Sequence, residues 1–343
     1  PIAKRLLEKD AETEILFSTY KDGVAYTKRE GFPIAEVPSI GFKVKPDGTV
    51  DFKQTVANPD LFFASFKLLR QVRAEIRVMQ HFKPDVVVSD TRVSPLMAAR
   101  MLEIPRLCIL NQFQVIIPRR KHFLRAAKLA DVIGLAMIGK LWTTGIHVLI
   151  PDFPEPYTLA TGNLRIPKSY QKRVKLIGPI IEIRPKTLPS QKQLRRKLRL
   201  DDKKPVIFAP ISGPVKEKAY LIGLLRHILS DFPEDYQIVL SLGYPASSPD
   251  PVRYRNLLIY RWAPNRYEYL KACDLVIAKA GHGTIAQSLC YGKPMLIIPT
   301  PNHTEQNNNA KKVKAMGVAE VLDQQNLNRE TLLKATENIL KNE

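Results

Sequence analysis

The chain has 343 residues, with 53 Lys and Arg against 33 Asp and Glu, a formal charge of +20, and 45% hydrophobic and 25% charged residues. This composition excludes a disordered chain or a fibrous repeat, and the length suggests two domains. No run approaches the roughly 18 uninterrupted apolar residues of a membrane-spanning helix. The three isolated cysteines, Cys108, Cys273 and Cys290, lack the spacing of a zinc site or disulfide framework, which fits a reducing cytoplasm.

From Ile2 to Glu8 the apolar positions mark one helix face, and Glu14–Ser18 reads as extended. An α/β domain seldom begins on a helix, so a leading strand is expected before Pro1. Asp85–Asp90 carries a β-branched run without polar alternation, as in a strand buried on both faces. A helix near 94–103, a strand at Arg106–Leu110 and a strand at Val174–Ile177 follow. Prolines then cluster with Lys192, Arg195, Arg196, Lys197 and Arg199, which places a linker over 179–204 and a solvated basic helix face within it.

Beyond the linker the alternation restarts. Strands are expected at Val206–Ala209, Tyr236–Leu240, Asn256–Tyr260, Leu275–Ala278 and Met295–Ile298. Helices are expected over 215–230, 265–272, 283–291, 304–316 and 328–341. Strands spaced by helices mean parallel βαβ units. The pattern therefore predicts an α/β protein of two doubly wound parallel-sheet domains facing a cleft, 1–178 and 205–343.

The densest chemistry lies in residues 274–310. After a strand ending near Lys279, Gly281-His282-Gly283-Thr284 would turn into a helix and offer free N–H groups and a positive helix end to an anion. Thr284 could cap that helix or bind phosphate. Pro299-Thr300-Pro301-Asn302-His303-Thr304-Glu305-Gln306 gathers polar groups at the carboxyl end of the next strand, where open parallel sheets bind ligands.

These runs resemble the donor-binding signature of GT-B glycosyltransferases, the lipid-I N-acetylglucosaminyltransferase and glucuronosyltransferase-like families, with two Rossmann-like domains. Pro84–Asp90, Gly178-Pro179 and Phe208–Pro214 agree in pattern. The resemblance implies that Ser212 and Gly213 approach the donor phosphates and that Arg261, Trp262, Ala263 and Pro264 frame the nucleobase. It implies a diphosphate turn at Gly281, His282, Gly283 and Thr284, sugar contacts from Glu305 and Gln306, and a motif closed by Asn309 and Ala310; His303, beside that pair, is read from its position as a further donor-site residue. The chain departs at Gln287, where the family carries a ribose-gripping Glu; an amide lacks the charge-assisted strength of a carboxylate.

The resemblance further implies a metal-independent, inverting transfer from a nucleotide sugar, UDP-sugar foremost, to an acceptor hydroxyl, with no other cofactor. A catalytic His is expected in a glycine-rich loop before Pro1. Asp90 could serve as base or orient that His, or simply cap the next helix. Among the other histidines, His81 suits a helix end, His227 a surface and His147 an interior position.

Between Phe113 and Trp142, apolar residues mix with Arg119, Arg120, Lys121, Arg125 and Lys128. Such a segment suits either an anionic membrane surface, with a lipid-linked acceptor on its inner face, or an internal helix with a basic edge. A UDP-sugar epimerase or hydrolase on the same scaffold remains an alternative. So does a nucleic-acid-binding protein, although no recognition-helix or aromatic RNA-binding signature is present.

Overall fold

A computed structural model describes residues 1–39, 60–111, 147–164, 166, 168–245 and 247–341. Contacts divide the chain into two units, one ending at Ile180 and the other running from Ile181 to the carboxyl end. Both are α/β and built on parallel sheets.

In the first unit, α1 (Ile2–Lys9), β1 (Phe17–Thr19), α2 (Asp22–Arg29) and β2 (Ile34–Glu36) form a two-stranded parallel ribbon with its helices. The long α3 (Asp60–Phe82) leads to β3 (Val87–Asp90), α4 (Val93–Met101) and β4 (Arg106–Ile109). Then β5 (Val148–Ile150), the short α5 (Thr161–Leu164) and β6 (Val174–Leu176) complete a four-stranded sheet in the order β3-β4-β5-β6, parallel throughout. Val72 and Met79 of α3 pack with Val87, Ala98 and Ala99.

The expected burial of β3 on both faces fails. Val87 and Ser89 point inward, whereas Val86, Val88 and Asp90 are exposed, because β3 lies at an end of its sheet and successive side chains alternate.

A buried polar knot ties this unit together. Arg92 pairs with Glu75 of α3, donates to the Ser18 carbonyl at 2.8 Å and lies over the Tyr20 ring, while Ser18 Oγ donates to Glu75 at 2.7 Å. Glu75 is 1% exposed, so its charge needs these partners.

The second unit begins with α6 (Gln191–Lys197), β7 (Val206–Pro210), α7 (Val215–Ser230) and β8 (Gln237–Ser241). A two-residue turn at Arg255-Asn256 joins β9 (Pro251–Tyr254) to β10 (Leu257–Tyr260) as an antiparallel hairpin. There follow α8 (Arg266–Ala272), β11 (Leu275–Ala278), α9 (His282–Cys290), β12 (Met295–Ile297), α10 (Thr304–Ala315), β13 (Ala319–Val321) and α11 (Arg329–Lys341). The seven strands run in the order β13-β12-β11-β7-β8-β10-β9.

The core follows from alternation along β7. Ile207 and Ala209 join Leu221 and Leu225 of α7 and Leu332 and Ala335 of α11 in one cluster. Phe208 stacks on Tyr269 of α8, with ring centroids 5.7 Å apart. From β7 the chain first builds outward through β8 and β10, then returns to the other side of β7 with β11. That reversal makes the carboxyl ends of β7 and β11 a topological switch point, the place where doubly wound sheets bind ligands.

The segment expected as a linker packs on this second unit. Ser190 and Gln193 form a capping box that starts α6. Arg195, expected among solvated side chains, is 8% exposed instead. It grips both carboxylate oxygens of Asp274 at 2.6 and 2.5 Å and donates to the Ala272 carbonyl at 3.0 Å. Lys192, Arg196, Lys197 and Arg199 are not buried.

Candidate functional site

Three loops converge on the switch point. The first follows β7, where Gly213 takes φ +110°, a conformation that excludes other residues, and turns the chain into α7. Ser212 Oγ lies 3.2 Å from Thr284 Oγ1 in the first turn of α9, just past the second loop, so the amino ends of α7 and α9 are brought side by side. Each leaves backbone N–H groups without intrahelical partners, and together they present a concentrated positive field.

The turn into α9 differs from its sequence reading. Gly281 (φ −73°) is the helix N-cap and Gly283 is already helical, so neither uses a conformation reserved for glycine. A Cβ on either would meet nothing within 4 Å, so open space adjoins both positions. Thr284 is not the cap; its hydroxyl faces Ser212. The His282 ring is 6% exposed, so it packs inward rather than standing on the surface.

Lys279 was not singled out from sequence as a ligand-binding residue. It ends the apolar run of β11 and is 4% exposed, yet its ammonium makes no hydrogen bond or ion pair with a described residue. A Cβ built on Gly213 would stand 3.7 Å from it. Burial lowers its pKa below the usual lysine value, and Glu217 in the first turn of α7 opposes that shift. A buried cation held open beside two helix amino ends is suited to a polyanion.

The third loop supplies both bracing and chemistry. Gln306 Oε1 accepts from the Thr300 amide at 2.9 Å, and Asn309 Nδ2 donates to the Ala280 carbonyl at 3.0 Å, fastening α10 to the turn before α9. Both are thus committed in part to shaping the loops. Thr300 Oγ1 and Asn309 Oδ1 are buried without a hydrogen-bond partner among the described residues. His303 is the N-cap of α10, with Nδ1 accepting from the Gln306 amide at 3.4 Å. Burial, then Lys279, pushes its pKa down, which keeps the ring neutral and able to accept. Burial raises the Glu305 carboxyl, with His282 opposing and Glu217 adding to the shift.

Beyond β10, the Ala263 amide donates to Ser241 Oγ at 3.2 Å, which fixes the Arg261–Pro264 loop, and Trp262 is half-buried. Gln287, three residues past Thr284 on α9, accepts from Arg266 Nη2 at 2.5 Å. Among the described residues, no cluster of three His, Cys, Asp or Glu side chains could hold a metal ion.

In the first unit, Asp90 ends β3 and receives a hydrogen bond from Thr91 Oγ1 at 3.0 Å. Its surroundings desolvate the carboxyl and raise its pKa, although the residue keeps an exposed edge. It does not cap the next helix: Arg92 occupies the N-cap of α4 and makes no side-chain capping bond. Thr91 takes φ +65°, an uncommon strain for a β-branched residue. His147, expected inside, is exposed just before β5; His81 and His227 sit on helices at the surface.

Arg119, Arg120, Lys121, Arg125 and Lys128 lie outside the described residues. A basic, partly apolar surface exists on α3. Phe66 (65% exposed) and Leu69 share its outer side with Lys67, Arg70, Arg73 and Arg77, none ion-paired with a described residue. Among the described residues, no helix is long and apolar enough to cross a membrane.

Comparison with known proteins agrees with this architecture. Residues 216–343 match the glycosyltransferase family 28 C-terminal domain. An uncharacterized glycosyltransferase of Methanosarcina acetivorans is 27% identical over 328 residues, covering 94% of this chain and 80% of that protein. The UDP-N-acetylglucosamine–N-acetylmuramyl-(pentapeptide) pyrophosphoryl-undecaprenol N-acetylglucosamine transferase of Lactococcus lactis is 26% identical, covering 98% and 85%. The glycosyltransferase SnogD from Streptomyces nogalater shares the fold with a TM-score of 0.62 at 19% identity, covering 100% and 87%. The carboxyl-terminal domain is thus of the glycosyltransferase family 28 type, and the chain shares the two-domain GT-B fold of its structural neighbours, which, like its relatives in sequence, are glycosyltransferases.

Proposed function

We propose that this chain transfers a sugar from a nucleoside diphosphate sugar, UDP-sugar foremost, to an acceptor hydroxyl with inversion at the anomeric carbon. One observation carries the reading: Ser212 and Thr284 join two helix amino ends beside the mostly buried side chain of Lys279. The transferred bond breaks toward the diphosphate, so charge develops on the leaving group. Preorganised amides and a desolvated cation aimed at that charge stabilise it as it forms. Glu305 and His303 stand at the end of β12, within the same constellation, and are the groups assigned to the sugar hydroxyls. Asp90 is the candidate base or His-orienting group, its raised pKa easing proton uptake.

A lipid-linked acceptor fits the undecaprenol-linked substrate named for the Lactococcus relative and the basic, partly apolar side of α3. Each basic residue near an anionic bilayer adds about 1 kcal/mol of attraction. Cosedimentation with anionic vesicles at low salt, lost in Phe66→Glu, is the expected result; equal binding to neutral vesicles would remove the membrane argument.

Calorimetry with UDP, GDP and dTDP tests the donor site, and NMR of the product anomer tests inversion. Absence of binding by all three diphosphates would sink the reading.

A further inference from the structure

We propose that Glu217 is a positioning residue acting through Lys279: its carboxylate is the counter-charge that the ammonium faces in the empty cradle and gives up to a diphosphate, so that Glu217 holds polyanion affinity down and eases departure of the nucleoside diphosphate after transfer. The inference rests on the diphosphate reading above and adds one residue to that same site.

Glu217 lies in the first turn of α7, just past the loop that follows β7. Its amide donates to the Pro214 carbonyl at 3.0 Å, which winds that turn closely onto the loop. Helical side chains lean toward the amino end of their helix, so the carboxylate is directed back over Gly213. Lys279 reaches the same glycine from the end of β11, its ammonium 3.7 Å from the point where a Cβ on Gly213 would stand. Glu305 comes from the first turn of α10 and feels the Glu217 charge as well. One charged group from each of the three converging loops therefore meets at the cradle.

An acid in a first helical turn ordinarily complements the helix dipole from the surface or from a capping box. Glu217 is half-buried instead, and the N-cap of α7 is Pro214, which makes no side-chain capping bond. Burial raises the carboxyl's pKa and Lys279 opposes that shift. Burial likewise disfavours the Lys279 cation, and Glu217 supports it. Each group thus sustains the charge of the other while the cradle is empty. A diphosphate beside Lys279 brings oxygens to the ammonium and sets its own negative charge against the carboxylate. Glu217 then loses its counter-charge, and that loss subtracts from diphosphate affinity. Two helix amino ends and Lys279 without this carboxylate would retain the leaving nucleotide more tightly and slow its release.

Calorimetry with UDP on the full chain tests the exchange. Glu217→Gln keeps the size of the side chain and removes its charge, and Glu217→Ala repeats the deletion without the amide. Each is expected to tighten UDP binding about tenfold, a change of about 1.4 kcal/mol. Damage to the fold loses affinity, so a gain is not its mimic. The second arm repeats Glu217→Gln in a Lys279→Met background, where the partner is gone; there the gain is expected to shrink below about threefold, the mark of two coupled residues. A gain below about threefold in both single variants overturns the proposal, and so does a gain in the Lys279→Met background as large as in the native one. Absence of UDP binding by the wild-type chain brings down the diphosphate reading itself and is seen before any variant is made.

Discussion

The hydroxyls of Ser212 and Thr284 lie 3.2 Å apart although 72 residues separate them in sequence. That contact binds the loop after β7 to the first turn of α9 across the point where strand order reverses. It joins two ordinary strand-to-helix connections into the proposed anion cradle. Neither loop alone would gather enough donors for a diphosphate, and the sheet topology is what makes them neighbours.

Gly283→Asp separates the role of that cradle from its stability. The position is helical and its Cβ would enter open space. An Asp in the first turn should stabilise α9 by up to about 1 kcal/mol, because it complements the helix dipole and removes a helical glycine. The same carboxylate would repel and displace a diphosphate. Melting temperature is expected to hold or rise while UDP affinity falls at least about tenfold, an order set by one lost charge-assisted hydrogen bond. A variant that binds UDP as wild type does would remove the turn from the site.

Lys279→Met keeps the buried stem and deletes the charge. UDP affinity is expected to fall by about 10- to 100-fold, the worth of a hydrogen bond to a charged group. Folding stability should be unchanged or higher, since burial disfavours the charged form of Lys279 by more than Glu217 favours it. The pKa of Lys279 is lowered in the fold, so the native state releases that proton before the unfolded chain does. The burial penalty is therefore relieved as pH rises from the folded pKa toward 10.5. UDP affinity should decline over that alkaline range in wild type and be flat in the variant, as read by calorimetry against pH.

Legibility in the sequence followed burial pattern. Val215–Ser230 and Leu275–Ala278 appear with their expected bounds because a helical stripe and a continuous apolar run leave little choice. The hairpin strand Pro251–Tyr254 escaped notice because all four residues are exposed and show no core face. Its only signal is the Arg255-Asn256 turn, with Arg255 at φ +51°. At Gly281 and Gly283 the turn into α9 was legible, whereas the ordinary φ of Gly281 and the open space beside both positions were not. Lys279 and Arg195 looked like ordinary basic residues, because what distinguishes them is supplied by partners tens of residues away.

Arg195→Met tests how firmly α6 belongs to the second unit. Arg195 and Asp274 are mostly buried and share two short hydrogen bonds, while Asp274 also accepts from the Val206 amide at 2.7 Å at the start of β7. Removing the guanidinium leaves a buried carboxylate short of its counter-charge, a change that costs about 3–5 kcal/mol. The remaining bonds from Val206 and Gln191 place the expected loss near the lower figure. Urea denaturation should show it as a lower midpoint. A loss below about 1 kcal/mol would mean that the pair is as weak as an exposed one.

His303→Asn probes the loop before α10 through pH. In the native chain, His303 Nδ1 accepts from the Gln306 amide, which a protonated ring cannot do. Its folded pKa lies below 6.5, so as pH falls from 6.5 toward the folded value the unfolded chain takes up a proton that the native chain refuses. Stability attributable to this group is therefore present above 6.5 and is lost on acidification. Glu305 acts in the opposite sense: its folded pKa is raised above 4.5, so its contribution falls as pH rises from 4.5 toward the folded value. Asn is a strong N-cap that does not titrate. The variant should match wild type near pH 7.5 and exceed it near pH 5 by about 1 kcal/mol, roughly the value of one helix cap. Denaturation curves at the two pH values decide it. Parallel acid sensitivity in both proteins would show that His303 stays bonded on protonation and that the loop's pH response arises elsewhere.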